Sequence, residues 1–215
     1  MDKKIEATLK NLERNQMKPY YCETKAEALE MVKTLLPKGC TVSHGGSETL
    51  KEVGVIDLLN SGDYNYLDRS KCQSREETEA LYRKCFSADV YVTSSNAVTE
   101  NGELYNVDGN SNRVACIAYG PESVIVVAGV NKIVENIDKA IERVKTVCAP
   151  LNAERLNLET YCRHTNSCAS LRKDNAAMSE GCSSASRICC NYLVSAQQRH
   201  KDRIKVIIVN ENLGY

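Results

Sequence analysis

Three polar clusters contain most of the residues that could do chemistry in this chain of 215 residues. Each cluster follows a short apolar run that predicts a β-strand. The clusters supply Gly45, Gly46, Ser47 and Thr49, then Ser94, Ser95 and Asn96, and finally Asn131 and Lys132. In open α/β sheets, ligands bind beyond the carboxyl ends of the strands, where loops from different strands meet. The pattern therefore predicts one shared pocket.

A small anion is the ligand that these clusters favour. Backbone N–H groups at glycine turns attract anions, and Lys132, together with Arg113, could supply compensating positive charge. The alternative is that the glycines only form tight turns and the hydroxyl groups only cap helices. Because a Gly-Gly-Ser run alone is a weak signal, the prediction depends on the agreement of all three clusters.

A long polar stretch separates the apolar runs Ala88–Val92 and Ser123–Val127. It spans about thirty residues, whereas connections in compact domains usually take about four to six. The turn dipeptides Asn101-Gly102 and Asp108-Gly109 predict a hairpin that has Glu100 on its rim. Glu100 could act as a base or a nucleophile, although a solvated glutamate is the alternative. Further candidates for ligand contacts in this stretch are Asp108, Asn112 and Arg113.

Four cysteines between Glu159 and Asn191 predict a metal site. They are Cys162, Cys168, Cys182 and Cys189. The surrounding segment has no clear periodicity and little apolar surface, so a bound metal would explain how it stays ordered. Four thiolates suit zinc or an iron–sulfur cluster. Three alternatives stay open: Cys190 replaces Cys189, His164 is a ligand, or the thiols are packed without metal.

The elements that must position these groups alternate between strands and helices. Thr24 and Glu27 form a capping box at the start of a helix that is predicted to end at Leu36. The other predicted helices cover Leu50–Leu59, Ser74–Phe86 and Ile133 to about Val147, and the other predicted strands cover Met17–Cys22, Cys40–Ser43, Asp63–Leu67 and Arg203–Val209. Such alternation indicates βαβ units around a mainly parallel sheet. We predict an α/β domain from residues 1–158 plus 201–215, with a cysteine-rich insertion at 159–200.

Composition excludes several classes of protein. Lys and Arg number 28, equal to Asp and Glu, so no basic excess argues for a nucleic acid or an anionic membrane as partner. No apolar run approaches the roughly 18 residues of a membrane span, and the N-terminal stretch lacks the apolar core of a signal peptide. We therefore expect a cytoplasmic protein whose 11 cysteines are reduced or bound to metal. The apolar stripe of Ile5, Leu9 and Leu12 on an opening helix could line a homo-oligomer contact or pack in the core.

Several separated motifs resemble one known family, from TVSHGGSETL near the start, through SNAVTENGELYNVDGNSNRVACIAYGP and VIVVAGVNKIV, to a terminal LGY. They resemble the LUD-domain family of lactate-utilisation proteins, LutC-like, in its small cysteine-containing branch. The resemblance implies a three-layer Rossmann-like fold similar to the NagB, ribose-phosphate isomerase and CoA-transferase group. It also implies a role beside bacterial lactate oxidation with iron–sulfur partner proteins, and it favours a 4Fe-4S cluster over zinc.

A narrower resemblance concerns catalysis. Thr99-Glu100-Asn101-Gly102 is similar to the SENG signature of CoA-transferases, in which the glutamate forms a covalent acyl intermediate. Two main functions follow: a redox accessory of organic-acid metabolism with a small-anion pocket, or an enzyme or sensor for a sugar phosphate or acyl-CoA that uses Glu100 and Lys132. A metal-stabilised interaction subunit without chemistry is a third.

Overall fold

The computed structural model describes residues 1–215 and contains ten β-strands. They are β1 (Lys18–Cys22), β2 (Thr41–His44), β3 (Asn65–Tyr66), β4 (Val90–Thr93), β5 (Ala97–Thr99), β6 (Leu104–Asp108), β7 (Ser123–Gly129), β8 (Ile133–Val134), β9 (Asn191–Ser195) and β10 (Ile204–Val209).

Nine α-helices connect or flank these strands. They are α1 (Lys3–Arg14), α2 (Lys25–Leu35), α3 (Glu48–Val53), α4 (Val55–Leu59), α5 (Arg75–Lys84), α6 (Asn112–Ala118), α7 (Ile137–Arg143), α8 (Ala149–Arg155) and α9 (Tyr161–Thr165). No helix is both long enough and apolar enough to cross a lipid bilayer.

The main sheet contains six parallel strands in the order β1-β10-β7-β4-β2-β3. Both of its faces are buried, as is usual for parallel sheets. Along β7, Val124 and Val126 pack in one core cluster with α1, whereas Ile125 and Val127 pack in another with α2, α3 and α4. The predicted α/β fold class with a mainly parallel sheet is therefore confirmed.

A second sheet packs beside the first, in the order β8-β5-β6-β9. It is mixed, since β5 pairs parallel with β8 but antiparallel with β6, and β6 pairs antiparallel with β9. Val98 and Leu104 face the core of the main sheet, while Ala97 and Tyr105 face α7 and α8. The sequence does not predict β9, which lies inside the segment 159–200 and ties it to the rest of the fold.

Two predicted helices differ in detail from the observed ones. The helix predicted at Leu50–Leu59 is interrupted at Gly54, which has a φ of 87° and separates α3 from α4. The helix predicted to end near Val147 continues to Arg155 through a π-helical turn at Val144–Cys148. Such turns occur often at functional sites because they redirect side chains.

The opening helix α1 packs on the chain's own core. Its apolar residues Ile5 and Leu12 are buried in the cluster that also contains Val98 and Leu104. The β5–β6 turn lies against this helix, since a Cβ added at Gly102 would come within 2.5 Å of the backbone nitrogen of Leu12. The predicted hairpin is present, and its turn is fixed beside α1.

Candidate functional site

The carboxyl edge of the main sheet brings the three predicted clusters together. Lys132, after β7, donates hydrogen bonds from Nζ to Thr49 Oγ1 at 2.7 Å and to Ser94 Oγ at 3.0 Å. Thr49 comes from the cluster after β2, and Ser94 comes from the cluster after β4. Parallel strands end at the same edge, so loops that are far apart in the chain meet there.

These loops form part of a cleft of about 820 Å³. The charged side chains that line it are Arg69, Arg113, Lys132, Arg155 and Arg187, with Glu48 and Asp108. Asp108 pairs with Arg113 at 2.8 Å, and Glu48 lies 3.6 Å from Arg155. The cleft therefore has a surplus of cationic groups, which favours anionic ligands.

Lys132 is the most buried of these cationic residues, at 3% exposure. No carboxylate lies within ion-pair distance of its amine, which has only hydroxyl partners. The pKa of Lys132 is lowered to about 8, and burial is the largest cause. The charges of Arg143 and Arg113 also lower this pKa, whereas Cys148 and Glu52 raise it. An amine in this environment exchanges its proton near neutral pH.

Arg113 organises one wall of the cleft. Its guanidinium donates to the side-chain oxygens of Asp108, Asn106 and Asn96 at 2.6–2.9 Å. Two backbone carbonyl groups accept further hydrogen bonds from it. A Cβ at Gly45 would lie 2.8 Å from Arg113 Cδ, so only glycine leaves room for this side chain. Most of the donor capacity of Arg113 is thus used inside the protein.

Most of the other predicted ligand-binding residues also line the cleft: Gly46, Ser47, Ser94, Ser95, Asn96, Asp108 and Asn112. Three predicted residues lie behind the surface instead. Gly45 contacts Arg113, and Thr49 is fully buried beside Lys132. Asn131 accepts a hydrogen bond from Leu213 N and donates one to Gly214 O, so it positions the final residues of the chain.

The structure does not bring Glu100 into the cleft. Strand β5 starts near Asn96 at the cleft and runs away from it, so Glu100 lies roughly 13 Å further along at ~3.3 Å per residue. Its carboxylate is 3.6 Å from Lys4 Nζ, on α1. The prediction that Glu100 and Lys132 share one pocket is therefore wrong. An acyl-glutamate like that of CoA-transferases would not form in this cleft.

The four predicted metal-ligand cysteines line a second, enclosed cavity of about 20 Å³, with Tyr105, Lys145 and Tyr192 among the other lining residues. Burial raises the pKa of the Cys162 thiol, the hydroxyl of Thr160 lowers it, and the nearby thiols of Cys182, Cys189 and Cys168 raise it again. Chain positions separated by up to 27 residues thus line one small cavity. We call this the cysteine cavity.

Comparison with known proteins identifies the family of the chain. The family model of the LUD domain matches residues 5–209. The chain belongs to the LUD domain family. A DUF162 family protein from Deinococcus radiodurans has the same fold, with a TM-score of 0.54, 13% identity and 96% of each chain covered. The resemblance of the sequence motifs to the LUD-domain family is confirmed.

More distant solved structures match about half of this LUD domain. The delta subunit of eIF2B from Chaetomium thermophilum matches with a TM-score of 0.36 and 17% identity, over 54% of this chain and 51% of its own. Ribose 5-phosphate isomerase from Plasmodium falciparum matches with a TM-score of 0.34 and 16% identity, over 52% of each chain. No curated protein sequence matches the chain.

The four thiols in the cysteine cavity of the LUD domain are the candidate metal ligands. No three His, Cys, Asp or Glu side chains are grouped closely enough to hold a single metal ion. The donor set nevertheless has the four thiols of an iron–sulfur site. Buried Lys145 lines the cavity, and Arg187 Nε lies 3.2 Å from Cys189 Sγ, so positive charge is available to stabilise thiolates. Tyr105, also in the lining, has a buried hydroxyl group without a hydrogen-bond partner.

The alternative metal ligands lie outside the cysteine cavity. Cys190 is exposed and lines the cleft, and its thiol donates to Arg187 O. His164 is exposed and pairs with Glu159 at 3.1 Å. Cys189 and Cys190 therefore face two different sites, because successive residues of an extended chain point to opposite sides.

The cleft and the cysteine cavity of the LUD domain share a wall at residues 185–190. Arg187 lines the cleft and also donates to Cys182 O, Cys189 O and the Tyr192 hydroxyl. Arg187 therefore connects the cysteine segment to the cleft by direct hydrogen bonds.

Sequence reasoning missed several residues of the cleft, among them Arg69, Arg155 and Tyr215. Arg69 follows β3, so the rule of strand ends could have found it. Arg155, at the end of α8, donates to the Tyr215 hydroxyl at 2.8 Å. Neither Arg155 nor Tyr215 belongs to a strand-end motif. Tyr215 is part of the terminal LGY motif, but that motif does not indicate a place in the cleft.

Proposed function

We propose that this LUD domain protein binds a small organic anion in the cleft and acts as a redox accessory of organic-acid metabolism. The observation that supports the binding role most strongly is the charge of the cleft, where five cationic side chains face two carboxylates. Serine and asparagine side chains supply the remaining polar contacts. A carboxylate or a phosphate group suits such a lining, because each can accept several charge-assisted hydrogen bonds.

Arg69 is the arginine of the cleft whose guanidinium donors are all available to a ligand. Arg113 and Arg155 pair with carboxylates, and Arg187 holds the cysteine segment. The guanidinium of Arg69 lies against Gly46 and makes no hydrogen bond or ion pair with the protein. Its fixed fork of donors matches the geometry of a carboxylate or a phosphate.

The cysteine cavity supports the redox part of the proposal. Cys162, Cys168, Cys182 and Cys189 would hold the group, with Lys145 and Arg187 supplying nearby positive charge. A bound 4Fe-4S cluster would supply one-electron transfer. The shared wall at residues 185–190 would place that chemistry next to the bound anion. An iron–sulfur protein would then be the expected partner for electron exchange. Zinc in the same cavity would give a structural role instead.

Replacing Arg69 by glutamine is expected to weaken binding of the anion about tenfold, the effect of losing one charge-assisted contact. Isothermal titration calorimetry with L-lactate, pyruvate and inorganic phosphate measures this change. Because Arg69 has no partner in the protein, the melting temperature should stay close to that of the wild type.

Arg75→Gln is the matched control for charge. Arg75 lies on α5, is 86% exposed at its side chain and does not line the cleft. The Arg75→Gln substitution should leave the affinity for the anion unchanged. If no anion of the panel binds the wild type, or if both variants weaken binding equally, the cleft is not the binding site.

Replacing any of the four cavity cysteines by alanine is expected to remove most of the bound iron. The measurement is the iron, zinc and sulfide content of protein that is purified and reconstituted without oxygen, together with its visible absorption. The neighbours Cys189 and Cys190 give a matched pair of variants, since only Cys189 lines the cysteine cavity.

Cys190→Ala should therefore retain the metal, while Cys189→Ala loses it. A colourless, metal-free wild type would exclude the cluster, and zinc in place of iron would assign the cavity to a structural metal. Equal loss in both alanine variants would contradict the assignment of ligands.

A further inference from the structure

We propose that the side-chain amine of Lys132 forms an imine with a small carbonyl compound that also carries a carboxylate or phosphate group. The inference rests on the proposed function, since the cleft must first bind the anionic part of that compound. Lys132 is the one primary amine among the side chains that line the cleft. A lysine amine without a counter-ion in a ligand cleft has the chemistry of a nucleophile toward carbonyl carbon.

The surroundings hold this amine in place without neutralising its charge. Nζ has two partners, Thr49 Oγ1 at 2.7 Å and Ser94 Oγ at 3.0 Å, and both are hydroxyl groups. A lysine that only supported the fold would be expected to pair with a carboxylate, as Arg113 does with Asp108. Burying an unpaired ammonium costs free energy, which suggests that the neutral amine has a use.

Burial favours the neutral form of Lys132. Burial is the largest cause of its lowered pKa, and the guanidinium groups of Arg143 and Arg113 add to it. The Cys148 thiol and Glu52 oppose this effect. With a pKa of about 8, roughly a tenth of the amines are neutral at pH 7, far more than for an exposed lysine.

The step is a condensation with no change of oxidation state. The lone pair of Nζ attacks the carbonyl carbon, and the C–N bond forms as the C–O π bond opens. One amine proton passes to the carbonyl oxygen, for which the hydroxyls of Thr49 and Ser94, 3.5 Å apart, provide a route. The second amine proton leaves with that oxygen as water, and a C=N bond remains. The products are the imine and one water molecule.

The lining of the cleft restricts the compound to one that is polar and anionic. Arg69 and Arg155 lie in the same cleft as Lys132 and suit the anionic end of a short molecule whose carbonyl reaches Nζ. A 2-oxo acid and an open-chain sugar phosphate both have this chemistry. A neutral ketone lacks the group that would hold it.

Reduction with sodium borohydride tests the proposal, because it converts an imine into a stable secondary amine. The full-length protein is incubated with pyruvate, with dihydroxyacetone phosphate or with acetone, then reduced, digested and mapped by mass spectrometry. We expect an adduct on Lys132 with at least one of the two anionic compounds, on the order of tenfold more than with acetone, because binding raises the effective concentration. Exposed Lys10 reports non-specific labelling in the same map.

The Lys132→Arg variant and calorimetry with anions distinguish a failure of the imine from a failure of the proposed anion binding. Lys132→Arg cannot form an imine, so it should lose the adduct. Calorimetry of the wild type with L-lactate and with phosphate tests the anion cleft separately. If the wild type binds these anions but Lys132 stays unmodified, or is labelled no more than Lys10, the imine is overturned and the anion cleft stands. If neither anion binds and no adduct forms, both proposals fail. The map of the wild type decides the matter even if the variant does not fold.

Discussion

Replacing Arg113 by methionine is expected to lower the free energy of unfolding by about 3 kcal/mol. The Arg113–Asp108 pair is only 12% and 10% exposed at its two side chains. Without the guanidinium, the side-chain oxygens of Asn96 and Asn106 also lose a donor. We expect the lower end of the range for a broken buried pair, because Asp108 Oδ2 still accepts hydrogen bonds from two backbone N–H groups.

Urea denaturation of Arg113→Met, Asp108→Asn and the double variant measures the coupling between the two side chains. The double variant should be destabilised by less than the sum of the single variants. Arg83→Met is the control, since Arg83 is 75% exposed and lies 3.8 Å from Glu79. It should change stability by less than about 0.5 kcal/mol. A loss as small as this in Arg113→Met would show that the network does not organise the cleft.

The stability of the wild type relative to Lys132→Met is expected to rise by about 2 kcal/mol between pH 7 and pH 9.5. The pKa of Lys132 is lowered from 10.5 to about 8 in the folded protein. Below pH 8, Lys132 is charged in both the folded and the unfolded state. Between about pH 8 and 10.5, the unfolded chain holds the extra proton, so the free energy of unfolding increases with pH. Methionine does not titrate and removes this contribution.

Urea denaturation of both proteins across this pH range tests the effect, and Lys10→Met, at an exposed position of α1, controls for the loss of one lysine. At each pH, the free energy of unfolding of the variant is subtracted from that of the wild type. The difference cancels the titration of all other groups that the substitution does not disturb. A difference that stays constant from pH 7 to pH 9.5 would mean that the amine is not held in a desolvated site.

The cleft could be predicted because it follows from a local pattern. A buried strand followed by glycine, serine or asparagine places those residues at the carboxyl edge of a parallel sheet, and Lys132 directly follows β7 in this way. The prediction for Glu100 rested instead on turn dipeptides and a four-residue resemblance, and neither indicates the direction of the strand that precedes Glu100. The antiparallel β5–β6 hairpin takes Glu100 away from the edge.

Only the β5–β6 hairpin of the second sheet could be predicted. Its pairing with β8 and β9 could not, because the strands are short and these partners are distant in the chain. β5 has three residues and β8 has two, which is too few to show an alternating pattern. β9 pairs with β6, so that Asn191 lies opposite Asp108. This pairing also decides which of two adjacent cysteines enters the cysteine cavity. The sequence restricts the choice to Cys189 and Cys190, and only the tertiary structure separates them.

The most direct test of an anion-binding cleft built around Lys132 is NMR of the protein with ¹³C-labelled lysine. The Lys132 Cε signal, assigned by its loss in Lys132→Arg, is followed against pH with and without saturating L-lactate or phosphate. We predict a pKa of about 8 in the free protein. With either anion bound, we predict a rise to about 9 or higher, because a nearby negative charge stabilises the ammonium. A pKa near 10.5 that neither anion changes would contradict the account.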